Sequence, residues 1–76
     1  MKVQVQPQAP ILRGEEVRSI RYKLGQSQSE FATMIGISVP TLQSWEDGKR
    51  LPDGPALALL RVTAKNPKIV AKALGH

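Results

Sequence analysis

A chain of 76 residues has room for one domain with one small core, because a domain near this size buries only about 60% of the surface that its unfolded form exposes. The absence of cysteine excludes a disulfide framework and a thiolate metal site, and no apolar run approaches the roughly 18 residues of a membrane span. Eleven Lys and Arg against six Asp and Glu leave a net charge of +5. That favours a polyanionic partner, since each neutralised phosphate releases condensed counterions, although basicity that merely aids solubility is the plainer alternative. No secretory signal is visible, and the expected location is the cytoplasm, with no membrane contact.

Residues 1–12 read as an N-terminal arm. Met1, Val3 and Val5 alternate with Lys2, Gln4 and Gln6 at the period of a short strand, and Pro7 and Pro10 stop it. One strand does not hold by itself, so the arm is expected to pair with another chain or to stay disordered. Residues 13–76 read as a helical domain. The first helix should begin near Arg13 or Gly14 and end at Leu24-Gly25, with Val17, Ile20 and Leu24 as its apolar stripe. Glu15 and Glu16 fall in its first turn and Arg21 and Lys23 in its last, as the helix dipole prefers. Arg21 continues the i+4 line of Val17 and should lean toward the edge of the core.

Ser27 and Glu30 then form an S-x-x-E capping box, and Phe31, Met34 and Ile35 share a helical face behind it. Gly36 is placed to end this second helix in a left-handed conformation. Ser38 caps a third helix, with Pro40 in its first turn, where no backbone donor is lost. Two helices joined by a tight glycine turn make a helix-turn-helix. On the third helix, Leu42 and Trp45 share the inner face; Pro40, Gln43, Ser44 and Asp47 lie opposite, with Val39 and Thr41 on the flanks. A row of small, uncharged, hydrogen-bonding side chains suits a helix lying in the major groove. An ordinary polar outer face is the alternative.

Gly48 should end the third helix, leaving Lys49 and Arg50 in a loop before the turn cluster Leu51 to Pro55, where Asp53 is a candidate cap. A fourth helix spans about Pro55 to Lys65. Leu57, Leu59, Leu60 and Val62 are spread around its circumference, which argues for a second buried face. Leu57, Leu59 and Leu60 are therefore dimerisation candidates, unless Leu59 simply covers the last helix. Asn66-Pro67 restarts the chain with a cap and a first-turn proline, and Ile69, Val70, Ala73 and Leu74 are expected to face inward on a fifth helix ending near Leu74. Catalysis lacks residues: the one histidine, His76, is terminal, and no metal cluster or Gly-rich phosphate loop is present. No enzyme activity, metal or cofactor is expected. Tyr22 and Trp45 are too scattered for a base-stacking surface, and Trp45 reads as core.

From about Gly14 to Arg50 the chain resembles the lambda-repressor-type (XRE, Cro/CI-like) DNA-binding domain. Arg21, Leu24-Gly25, the run Ser27 to Ala32, Gly36-Ile37-Ser38 and the run Leu42 to Arg50 carry the likeness in order. Gln26 departs from the pattern, which usually places an apolar residue before the Ser-Gln pair. The resemblance implies an all-α fold, a five-helix lambda-repressor-like helix-turn-helix domain behind a short extended N-terminal arm. It implies an Arg21–Glu46 ion pair tying the first helix to the third. It also implies a phosphate clamp at Gln28, which can brace the recognition helix. Ser27 and Ser38 would be caps first and phosphate contacts second. Lys49 and Arg50 match the family's basic loop, where backbone amides and cations meet phosphates; solvated charges are the alternative.

Base reading would fall to Val39, Pro40, Thr41, Gln43 and Ser44. Gln43 can pair with adenine, and Thr41 or Val39 can touch a thymine methyl. The implied assembly is a homodimer on a palindromic operator in double-stranded DNA. Beyond Arg50, the runs Leu51 to Val62 and Lys65-Asn66-Pro67 with a short last helix resemble HigA-type antitoxins of type II toxin–antitoxin systems. That likeness implies a protein that neutralises a RelE-like toxin, with Met1 to Pro10 as the default contact segment, and that represses its own operon. A phage-type Cro/CI-like regulator without a toxin, or a protein-interaction module that does not bind DNA, are the other readings.

Overall fold

The computed structural model describes residues 12–75. Within them the chain is all-α: α1 (Gly14–Lys23), α2 (Gln28–Ile35), α3 (Val39–Glu46), α4 (Gly54–Lys65) and α5 (Pro67–Ala73). The expected strand over Met1 to Gln6 lies outside the described residues, as does His76, whereas Leu12, the last residue of the expected arm, packs against the core.

The boundaries of the first three helices follow from local chemistry. At the start of α1 the Arg13 amide donates to Glu16 Oε1 at 2.6 Å. At the start of α2, Ser27 Oγ accepts from the Glu30 amide at 3.1 Å, and the Ser27 amide donates to Glu30 Oε1 at 2.8 Å, closing the capping box. Gly36 ends α2 at φ +89°, and the Gly36 and Ile37 amides both reach the Ala32 carbonyl. Ser38 Oγ accepts from the Thr41 amide at 3.2 Å to open α3. The last two helices differ. Neither Asp53 nor Asn66 makes the expected side-chain cap bond. α4 opens instead through Gly54, at φ +55°, and Pro55. Asn66 is both the end of α4 and the start of α5, with a backbone outside the extended region that a capping residue uses.

One core joins all five helices: Val17 and Ile20 of α1, Phe31, Ala32 and Met34 of α2, Leu42 and Trp45 of α3, Leu60 of α4 and Ala71 of α5. Fully burying a side chain of the size of Val, Leu or Phe contributes about 1.5–3 kcal/mol. Leu60 lies wholly inside this core, which corrects its assignment to a dimer surface; Leu57 and Leu59 are half-buried. The phase expected for α5 is also corrected. Val70 and Ala71 face inward, whereas Ile69, Ala73 and Leu74 are exposed. With a single residue between the two helices, α4 fixes the rotation of α5, and the inner stripe is one position away from the one that hydropathy suggests.

Gly14 brings α1 close against the end of α3. A Cβ there would lie 2.8 Å from the Trp45 carbonyl oxygen and nearer still to that of Glu46. The first turn of α1 thus rests on the backbone that ends α3, and only a residue without a side chain fits.

Candidate nucleic-acid interface

The recognition helix candidate, α3, is locked from behind and bare in front. Leu42 is fully buried and Trp45 nearly so, while Pro40 and Gln43 are exposed and Thr41 and Ser44 half-exposed. Val39 is partly buried and packs against the core, which leaves only part of it for contact. Ser38 Oγ and Thr41 Oγ1 lie 2.8 Å apart in a hydrogen bond, so the two hydroxyls fix one another at the start of the helix.

Glu46 is the hub that holds the other end. Arg21 Nε donates to Glu46 Oε2 at 2.8 Å, and Nη2 donates to Oε1 at 3.0 Å, a two-pronged pair with both side chains almost fully buried. The third Arg21 nitrogen, Nη1, donates to the Gln26 carbonyl at 3.1 Å, and the guanidinium lies 4.8 Å from the centre of the Tyr22 ring. Arg18 Nη1 donates to the main-chain carbonyl of Glu46. Burial pushes the Glu46 carboxyl up, but hydrogen bonds from Arg21 and Gln28 and the charges of Arg21 and Arg18 more than offset it. The group rests below the ordinary carboxylate range. Arg21 is correspondingly raised, chiefly by its bond to Glu46.

From Glu46 a polar chain runs out to the exposed face. Gln28 Nε2 donates to Glu46 Oε1 at 3.0 Å, and Gln43 Nε2 donates to Gln28 Oε1 at 3.3 Å. Each amide nitrogen has two hydrogens. Gln28 therefore keeps one donor for a phosphate beside α2. Gln43 keeps one donor and its carbonyl oxygen, the pair that adenine N7 and N6 require.

The loop after α3 differs from its expected form. Gly48, at φ +80°, turns the chain so that the Lys49 and Arg50 amides both donate to the Ser44 carbonyl, at 2.9 and 3.3 Å. Those amides are engaged internally, and only the exposed side chains of Lys49 and Arg50 remain for phosphates. Ser27 and Ser38 are occupied as caps, each still at the surface. Gln26 is half-buried, with its Nε2 3.6 Å from Met34 Sδ and its Oε1 buried without a hydrogen-bond partner.

Sequence reasoning missed Gly14 and Arg18, which clamp the end of α3. The signal was present: Gly14, Arg18 and Arg21 recur at helical spacing and share one stripe with Val17. Among the described residues, no group of three or more His, Cys, Asp or Glu could hold a metal, and no helix is long and apolar enough to cross a membrane.

The comparisons agree with the helix-turn-helix fold. A family model described as helix-turn-helix, HTH_3, matches residues 17–61, from the middle of α1 into α4. The chain is also 33% identical over 57 residues to "Antitoxin HigA-2" of Vibrio cholerae serotype O1 (strain ATCC 39315 / El Tor Inaba N16961). The alignment covers 75% of this chain and 55% of that protein, so the chain spans about half the length of the curated relative it matches.

Proposed function

The chain belongs to the HTH_3 helix-turn-helix family, and from that premise we propose that it is a sequence-specific double-stranded DNA-binding repressor. One observation carries the reading: α3 presents Pro40, Gln43 and the edges of Thr41 and Ser44 to solvent, while Leu42, Trp45 and Glu46 hold its back rigidly to α1 and α2. A helix fixed this way loses little freedom on entering a major groove, so its hydrogen bonds go into base discrimination. In the complex, Gln28, Lys49 and Arg50, with Ser27 and Ser38 beside them, set the register on phosphates. Gln43 reads an adenine, and Thr41 or the exposed edge of Val39 meets a thymine methyl.

The working form is a homodimer on a palindromic site, with half-sites about 34–36 Å apart. Exposed Val62 on α4, Ile69 on α5 and Leu74 just after α5 supply apolar surface for it in place of Leu60. The 33% identity to an antitoxin over 57 residues supports a further step. The protein represses its own operon and neutralises a RelE-like toxin encoded beside it. A phage-type regulator would show the same DNA chemistry without that neighbour.

Footprinting on the DNA upstream of its own gene, with and without the neighbouring gene product, tests the reading. Two protected half-sites one helical turn apart are expected, with binding that falls steeply with salt and loses discrimination at one base position in Gln43→Ala. Absent or salt-insensitive retention would overturn it. Protection that the neighbouring product leaves unchanged would remove the toxin partner and keep the repressor.

A further inference from the structure

α1 has two opposed faces. Gly14, Arg18 and Arg21 meet the end of α3, and at about 100° per residue Glu16, Ser19 and Lys23 lie half a turn away from them. The second face borders two hollows that share Lys23. The smaller, of about 190 Å³, lies between α1 and α4 over Ile20 and Ala64. The larger, of about 380 Å³, lies between the C-terminal end of α1 and α5, with Leu24 and Ala71 in its lining and Lys23, Lys68 and Lys72 around it. Together they make a groove along the back of α1.

Its charge is one-sided. All six acidic residues precede Gly54, and from Gly54 to the end the chain has Arg61, Lys65, Lys68 and Lys72 and no acid. Glu16 borders the narrow end, and among the described residues no carboxylate lines the wide one. Three ammonium groups around half-buried Leu24 repel one another, and an anion that also brings apolar surface would cover Leu24 while offsetting their charge.

We propose that this groove docks an acidic segment of a partner protein. An apolar side chain of that segment rests on Leu24, and its carboxylates face Lys23, Lys68 and Lys72. Duplex DNA is the competing polyanion. Its phosphates carry no apolar surface to lay on Leu24, and Glu16, Ser19 and Lys23, which border the groove, lie on the side of α1 opposite to α3. A duplex seated on α3 therefore leaves the groove free, a point that rests on the DNA-binding reading above. DNA and the acidic segment can then be held at once.

The test places the photo-crosslinking residue p-benzoylphenylalanine at exposed Ser19 of the full chain, in its native host, and maps the adducts by mass spectrometry. The expected adduct is on a stretch of another protein rich in Asp, Glu and apolar residues. Lys68→Gln/Lys72→Gln should reduce it at least fivefold while operator affinity, measured by gel shift on the same variant, changes less than threefold. No adduct, adducts confined to DNA or to a second copy, a crosslinked stretch without acids, or an adduct that survives the double substitution would each overturn the proposal. A chain that yields the acidic adduct but fails to shift its operator would sink the repressor reading and leave the groove standing.

Discussion

The first three helices and the last two are held by different means. Up to Glu46, polar side chains close the helix ends: Ser27, Glu30 and Ser38 cap, and Arg18, Arg21 and Gln28 converge on Glu46. After Gly54 no side chain caps a helix; α4 and α5 are held by Leu60, Val70 and Ala71 and by geometry around Asn66. Charge divides along the same line, with acids and bases nearly balanced before Gly54 and uncompensated lysines after it. The half that carries the proposed reading face is thus tightly held and almost neutral. In the proposed complex, specificity comes there from fixed hydrogen bonds, while most of the net charge sits on α4 and α5.

The sharpest way to break this contrast is to strand a charge at the hub. Arg21→Met or Glu46→Leu alone should cost about 3–5 kcal/mol, because each leaves its partner buried and unpaired. The double variant should cost clearly less than the two added, as read from urea midpoints. Simple additivity would mean that the pair contributes no coupling. By contrast, Lys68→Gln in the C-terminal half should move the midpoint very little, since its side chain is exposed.

Gly14→Ala comes next, at about 1–3 kcal/mol, because a Cβ there meets the main-chain oxygens of Trp45 and Glu46 and neither can swing aside. The shift should also tilt α3, so operator affinity should fall by more than the lost stability explains. A variant with normal operator affinity and stability would show that α1 and α3 are not in rigid contact. Acid should attack the same place. The folded Glu46 carboxyl lies below its ordinary range, so its contribution is present above the unfolded-state value and is lost as pH falls through the folded one. Wild-type stability should therefore drop below about pH 4.3, the unperturbed Glu value, more steeply than that of the Arg21→Met/Glu46→Leu double variant. Parallel pH profiles would contradict this.

Gln28→Ala should cost about 1 kcal/mol of stability, since it removes one donor from Glu46 and the acceptor of Gln43. Its larger effect should be on DNA: weaker binding to all sequences through the lost phosphate contact, and blurred preference at the Gln43 position through the lost brace. Gln43→Ala should blur that position alone. Gel shifts on a panel of single-base operator variants separate the two patterns. Identical patterns would mean that the amide pair has no bracing role.

Much of the first half was legible because its signals are local. The capping box at Ser27 and Glu30, the left-handed Gly36 and the inner pair Leu42 and Trp45 each depend on residues three or four apart. The Arg21–Glu46 pair spans 25 residues and came from family likeness rather than from spacing. Less was legible after Gly54. The direction in which Leu60 and Ile69 point depends on how α4 and α5 pack, and a one-residue junction sets that phase without leaving a hydropathy mark. Gly14 left only the weaker signal of its helical spacing with Arg18 and Arg21. A glycine at a helix start reads as neutral until the backbone above it is known. The engaged amides of Lys49 and Arg50 also followed from the Gly48 turn, not from their charges.

The smallest effect expected is a gain. Gln26 stands where the family pattern has an apolar residue, and the structure shows the consequence: a side-chain oxygen buried without a partner and an amide nitrogen in weak contact with Met34 Sδ. Its main-chain carbonyl, which accepts from Arg21, survives any substitution of the side chain. Gln26→Leu should therefore remove a desolvated acceptor, add apolar surface next to Met34, and raise stability by about 1 kcal/mol. The urea midpoint should rise without a change in slope, because the exposed surface on unfolding is nearly the same. Gln26 also lines the wide end of the groove beside Lys23 and Lys72. If the polar amide is retained for a docked segment, Gln26→Leu should be more stable alone and weaker in the Ser19 crosslink. A lower midpoint would mean that the amide oxygen is satisfied in solution and that the half built on hydrogen bonds extends to this residue as well.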